Sequence, residues 1–72
     1  MNNSNILHNY KEWLEHHQMP AGKKKTLVAA IELFSQQGYN GTSTAQIAEK
    51  AGVSQATIFK YFKTKEDLLY AI

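Results

Sequence analysis

Residues 51–69 read AGVSQATIFKYFKTKEDLL, from Ala51 to Leu69. Gly52 is placed to end one helix, Val53 fills the corner of a turn, and Ser54 is an N-cap residue for the next helix. That second helix, predicted over Gln55 to Phe62, has two unlike faces. Ile58, Phe62 and in part Ala56 turn inward, while small polar, aromatic and lysine side chains turn outward. Two short helices joined by so tight a turn stand at a steep angle, the geometry of a helix-turn-helix, in which the first helix braces the second in the DNA major groove.

The flanking sequence supplies the rest of a small helical domain. Thr42, Ser43 and Thr44 offer a cap for a helix from about Thr44 to Ala51, with Ile47, Ala48 and Ala51 inward. Before it, Leu27, Ala30, Ile31 and Phe34 share one face of a helix from about Lys23 to Gln37. Gly38 stops that helix, and Tyr39-Asn40-Gly41 turns the chain. After the motif, Lys63-Thr64 connects to a fifth helix that has Glu66 and Asp67 in its first turn, where negative charge suits the helix dipole, and that runs on to Ile72. Towards the N-terminus, Ile6, Tyr10, Trp13, Leu14 and His17 form the stripe of an amphipathic helix capped by Ser4 or Asn3. Pro20 and Gly22 separate it from the body. No segment alternates with period two. The predicted fold is all-α: a homeodomain-like three-helix bundle with a helix-turn-helix, an N-terminal extension over residues 1–22 that contains an amphipathic helix, and the start of a further helix.

Composition narrows the function. Seventy-two residues make one domain at most, and so short a chain buries only about 60% of the surface its unfolded form exposes. The absence of cysteine rules out disulfides and thiolate metal sites. No apolar run approaches the ~20 residues that span a bilayer, and the polar start MNNSN lacks the pattern of a signal peptide, so the cytoplasm is the expected location. Residues 1–22 carry a net charge of −1, and residues 23–72 carry +3, with lysines gathered before the second helix and around the end of the motif. His8, His16 and His17 form no clean i, i+4 metal pair, and no cofactor is expected. The body serines act as caps and the carboxylates are scattered, so no enzyme constellation emerges.

The chemistry that remains is nucleic-acid recognition. Gln55, Ala56 and Thr57 begin the second helix of the motif, where base edges are read, with Phe59 and Lys60 a turn further on. Glutamine pairs bidentately with adenine, and alanine or threonine touches a thymine methyl. Thr44, Ser54 and Tyr61 offer hydroxyls to phosphates, and Lys24, Lys25, Lys63 and Lys65 offer charge. The alternative is a small helical protein-interaction module that binds no DNA.

Residues 24–72 resemble the DNA-binding domain of the TetR family of bacterial repressors. The resemblance rests on Ala30, Phe34, Gly38 and Tyr39, on Thr42-Ser43-Thr44 and Ile47-Ala48, and on Ala51-Gly52-Val53-Ser54 with Thr57-Ile58-Phe59. It continues through Tyr61-Phe62 and Lys65-Glu66-Asp67-Leu68-Leu69. It implies a homeodomain-like unit, a homodimer on a palindromic operator, and repression relieved by a small-molecule effector. By position, Thr44, Tyr61 and Lys65 match phosphate-holding residues, and Gln55, Ala56, Phe59 and Lys60 match residues that face bases or the groove wall. Ala56 stands where the family often has glycine, and Lys60 where histidine or tyrosine is common. Residues 1–19 exceed the usual arm, and the effector-binding, dimerising domain is absent. The expected organisation is therefore an extension over residues 1–22 and a DNA-binding domain over residues 23–72, cut before the effector domain. With Phe62 assigned to the core, Phe62→Ala should cost roughly 3–5 kcal/mol, read from the shift in the urea denaturation midpoint.

Overall fold

The computed structural model describes residues 3–72, except for the side chains of residues 3–7 and 15. Five helices follow one another: α1 (Asn3–His16), α2 (Ala21–Gln37), α3 (Thr44–Ala51), α4 (Gln55–Tyr61) and α5 (Lys65–Tyr70). No strand occurs among the described residues. The central helix is α2, which packs against α1, α3 and α4, while α3 packs against α4.

The caps explain where each element starts and stops. Ser43 forms a capping box at the start of α3: its hydroxyl accepts the Gln46 N–H at 3.1 Å, and the Gln46 side chain accepts the Ser43 N–H at 3.1 Å. Gly52 ends α3 with φ 73° and ψ 32°, a left-handed conformation costing ~1–2 kcal/mol for any residue with a Cβ. Its turn is closed by the Val53 N–H, which donates to the Ala48 carbonyl at 3.0 Å. Ser54 then caps α4 through the Thr57 N–H, and Thr64 caps α5 through a second box with Asp67.

Three boundaries differ from expectation. Helix α2 begins at Ala21 rather than Lys23, because Pro20 is its N-cap. Proline has no N–H to leave unsatisfied there, and its carbonyl accepts the Lys24 N–H at 3.0 Å. Helix α4 stops at Tyr61, and Phe62 turns to extended backbone (φ −135°, ψ 108°), which lays its ring in the core. Helix α5 ends at Tyr70 rather than running to Ile72: the Ile72 N–H bonds the Leu69 carbonyl three residues back, a tightened last turn.

The core gathers Leu14, Leu27, Ala29, Ala30, Ile31, Ile47, Ala48, Ile58, Phe62 and Leu68. Phe34, expected inside, is half-buried and tilts against Tyr39 with ring centroids 5.3 Å apart. The α1 stripe is partly inward. Leu14 is fully buried, and the half-buried Tyr10 donates its phenol proton to the Ala71 carbonyl at 2.6 Å. Burial raises the Tyr10 pKa, which keeps that proton in place. Trp13 is 51% exposed instead, stacked between Tyr10 and His17, because Leu14 takes the core-facing position one residue on. The expected caps Asn3 and Ser4 fall within α1, and their side chains and that of Ile6 lie outside the described residues.

Glu32 joins three helices. Its carboxylate meets Lys11 of α1 at 2.9 Å and Lys50 of α3 at 3.4 Å. The Lys11 hydrogen bond, reinforced by both ammonium charges, holds its pKa below the usual glutamate range despite some opposing desolvation. A lowered folded-state pKa stabilises the fold above the unfolded value, and that stabilisation fades as pH falls through the folded value. Thermal midpoints should therefore decline as pH drops below about 4. Glu32→Gln should flatten that decline, and an identical pH profile would dismiss the three-helix role.

Candidate nucleic-acid interface

At about 100° per residue, the seven positions of α4 divide into two sides. Gln55, Ala56, Phe59 and Lys60 fall within about 140° of one another, and all four are exposed. Ile58 lies off that arc, in the core, and Phe62 follows the helix as extended backbone with its ring also in the core. Ala56, expected in part inward, is fully on the outer side. Phe59 keeps 43% of its surface exposed, a large apolar ring left on a helix otherwise lined with polar groups.

Thr57, expected beside these residues, sits differently. It is half-buried, and a methyl placed on Gly22 would come within 3.1 Å of its Cγ2, so it leans on the start of α2. Its Oγ1 lies 3.0 Å from the Ser54 hydroxyl. One turn of α4 carries Thr57 to the same side as Tyr61, and Tyr61 is also half-buried near Gly22. The Ser54 hydroxyl is thus engaged with Thr57, through both the backbone N–H and the side chain. The Tyr61 ring has the Lys60 ammonium 5.4 Å from its centroid.

Besides Ser54 and Tyr61, the residues expected to face phosphates divide among three places. Thr44 and Lys65 line one shallow concavity with Asn40, Gly41, Ser43 and Gln46, at the start of α3. The N–H groups of Thr44 and Ala45, in the first turn of that helix, have no intrahelical acceptor. Lys24 and Lys25 line a groove at the opposite end of α3 with Lys50, Glu32 and Val28. Lys63 is exposed in the connection after α4. The eight residues of α3 thus separate two lysine-bearing ends by ~12 Å along the helix axis.

Lys65 does more than the sequence disclosed. From the first turn of α5 its ammonium reaches back to the α2–α3 connection. It donates to the Tyr39 carbonyl at 2.9 Å and to the Thr42 carbonyl at 3.0 Å, and sits 4.2 Å from the Tyr39 ring centroid. Two of its three N–H donors are satisfied within the fold, leaving one to turn toward the concavity. The same connection is pinned by the Thr42 hydroxyl, which donates to the Gly38 carbonyl at 2.7 Å, and by the Gln37 amide, which donates to the Gly41 carbonyl and to Gln46. Gly41 is there because a Cβ would collide with the Gln37 carbonyl oxygen. Lys50 was not among the candidate residues either. Its position in the last turn of α3 gave no sequence signal until Lys24 and Lys25 were seen across the groove.

One further contact joins the two helices of the motif. The Thr44 hydroxyl, at the start of α3, donates to Gln55 Oε1, at the start of α4, over 3.3 Å.

Comparison with known proteins places these features in a wider group. Residues 27–72 match the family described as bacterial regulatory proteins, tetR family. The chain is 51% identical over 49 residues to the HTH-type transcriptional regulator YvkB of Bacillus subtilis (68% of this chain, 26% of the relative). It is 50% identical over 52 residues to the HTH-type transcriptional regulator RutR of Escherichia coli K12 (72% of this chain, 24% of the relative). It is 43% identical over 44 residues to a fatty acid metabolism regulator protein of Bacillus subtilis (61% of this chain, 23% of the relative). The chain thus spans about a quarter of the length of these curated relatives. No solved structure matches it significantly.

The Lys65 clasp carries its own test. Lys65→Met keeps the aliphatic stem and removes both charge-assisted bonds, and should lower stability by about 2 kcal/mol in urea denaturation. An unchanged midpoint would mean that the ammonium does not hold the connection.

Proposed function

This chain belongs to the tetR family of bacterial regulatory proteins, and from that premise we propose that it is a sequence-specific DNA-binding unit of a transcriptional regulator. The single observation that carries the proposal is the bare outer side of α4. Gln55, Ala56, Phe59 and Lys60 stand exposed on a helix whose other side is locked into the core. A helix so presented fits the major groove, about 12 Å wide, with α3 crossing the backbone behind it.

In this proposal Gln55 and Lys60 hydrogen-bond base edges, while Ala56 and Phe59 touch thymine methyls or the groove wall. Thr57 supports the helix from behind rather than reading bases itself, consistent with its lean toward Gly22. One phosphate seats in the concavity at the start of α3, held by the first amides of the helix and the remaining donor of Lys65, while Thr44 lines the concavity with its hydroxyl proton given to Gln55. Lys63, Tyr61, and the Lys24–Lys25 end of the molecule meet further phosphates, and Ser54 acts chiefly through its cap. Residues 23–72 form the DNA-binding unit, and residues 1–22 an extension that braces it through Leu14 and Tyr10. The regulator it serves is a repressor, dimeric on a palindrome with half-sites about one helical turn apart, and released by a small-molecule effector bound elsewhere. The proposed setting is the cytoplasm. No helix among the described residues is long and apolar enough to cross a membrane.

Selection of bound sites from a random DNA pool, followed by gel shift at varied salt, tests the proposal. One sequence family should be enriched, with affinity falling steeply as salt rises. Lys63→Ala should reduce the magnitude of the log–log salt slope by ~1 without altering which bases are chosen. Absence of any enrichment would leave the protein-interaction module as the better account.

A further inference from the structure

The Thr44–Gln55 hydrogen bond joins two residues whose roles would otherwise be separate, one facing a phosphate and the other a base. We propose that Thr44 is a positioning residue that determines which base Gln55 accepts. The inference rests on the proposed DNA-reading role of α4.

A glutamine on an exposed helix start is ordinarily free to turn its amide. The amide carries an acceptor, Oε1, and two donors on Nε2. Free to present both, it matches adenine, which offers N7 as acceptor and its N6 amino group as donor. In this molecule the choice is narrowed. Ser54 fixes the backbone start of α4 through its bonds to Thr57, so the Gln55 Cα is held in place. On the other side, the capping box of Ser43 with Gln46 fixes the start of α3, and with it the position of Thr44. Between these two anchored points the Thr44 hydroxyl donates to Oε1 at 3.3 Å. The carbonyl end of the amide is thereby drawn back toward α3, and the amino end is turned outward.

An amide that leads with its donors fits a base edge made of acceptors. Guanine shows two, N7 and O6, on the major-groove side. Adenine would bring its N6 amino group toward the amino end of Gln55, because Oε1, although it keeps a second lone pair, is turned back toward α3. Cytosine would set its N4 donor against donors. Guanine is therefore the expected base opposite Gln55, in place of the adenine that glutamine favours when unrestrained. The effect needs no contact between Thr44 and the base.

The test uses the whole 72-residue chain, with site selection followed by competition titrations on DNAs differing at one base pair. The position read by Gln55 is the one whose preference vanishes in Gln55→Ala. At that position the unaltered protein should favour guanine over adenine. Thr44→Val is nearly isosteric and lacks the hydroxyl, so it should shift the guanine-to-adenine ratio toward adenine by about fivefold, the worth of one neutral hydrogen bond. Thr44→Ser, which retains the hydroxyl, should restore the original preference. Loss of a phosphate contact alone would weaken all sequences equally and leave the ratio unmoved, so an unchanged ratio in Thr44→Val overturns the inference. Adenine preference in the unaltered protein overturns it as well. Failure of every protein to enrich any sequence would instead refute the DNA-reading role itself.

Discussion

Everything in this fold converges on a core to which each helix gives at least one almost completely buried aliphatic side chain. Leu14 comes from α1, Ile31 from α2, Ile47 from α3, Ile58 from α4 and Leu68 from α5, and none is more than 1% exposed. A chain of this length has no second core to fall back on. Truncating any one of these residues to alanine costs on the order of 2–5 kcal/mol, against the 5–15 kcal/mol that holds a typical domain together. The helices are short, and a seven-residue helix such as α4 does not persist in water alone. Its existence therefore depends on Ile58 and Phe62 meeting the core. The surface that meets DNA in the proposed function is the reverse side of that same packing.

Around the core, a polar layer fixes how the helices are joined. The α2–α3 connection is held by the Thr42 hydroxyl, the Gln37 amide and the Lys65 ammonium, which together supply donors to the carbonyls of Gly38, Tyr39, Gly41 and Thr42. These carbonyls lie outside any helix, and that of Tyr39 also accepts the Thr42 N–H at 3.2 Å. The consequence reaches past stability. Because Lys65 belongs to α5 and its acceptors precede α3, a shift of α5 would be felt at the start of α3, where Thr44 lies. Glu32 makes a comparable bond on the other side, linking α1 and α3 through Lys11 and Lys50.

Much of this was legible in the sequence. Gly38, Gly52, Ser54 and Thr64 mark their boundaries by conformational need, and all four appear at helix ends in the structure. Leu27, Ala30, Ile31, Ile47, Ala48, Ile58 and Phe62 follow from helical spacing, and all are buried. Two expectations fail for different reasons. Periodicity gives an angle around a helix but not what stands opposite: it puts Trp13 on the inward stripe, yet Leu14 fills that gap. Adjacency in the chain groups Thr57 with Gln55 and Ala56, although 200° of rotation from Gln55 carries it to the far side of α4. Longer-range bonds left no local trace. Nothing near Lys65 announces that its partners lie 26 and 23 residues earlier, and nothing near Tyr10 points to Ala71. A charged side chain reads as solvated until the carbonyls around it are known.

The same limit bears on specificity. Read alone, Gln55 is an adenine-favouring residue, because an unrestrained amide presents donor and acceptor together. Read in place, it has one side of that amide tied to a neighbouring helix. Both ends of the tie are set by caps, Ser43 for α3 and Ser54 for α4, and the angle between those helices is set by Gly52. On the proposed reading, the base that α4 accepts is a property of the joined pair of helices rather than of its exposed side chains alone. Substitutions at Ser43, Gly52 or Ser54, none of which need touch a base, change the distance between Thr44 and Gln55 and so act on recognition through geometry.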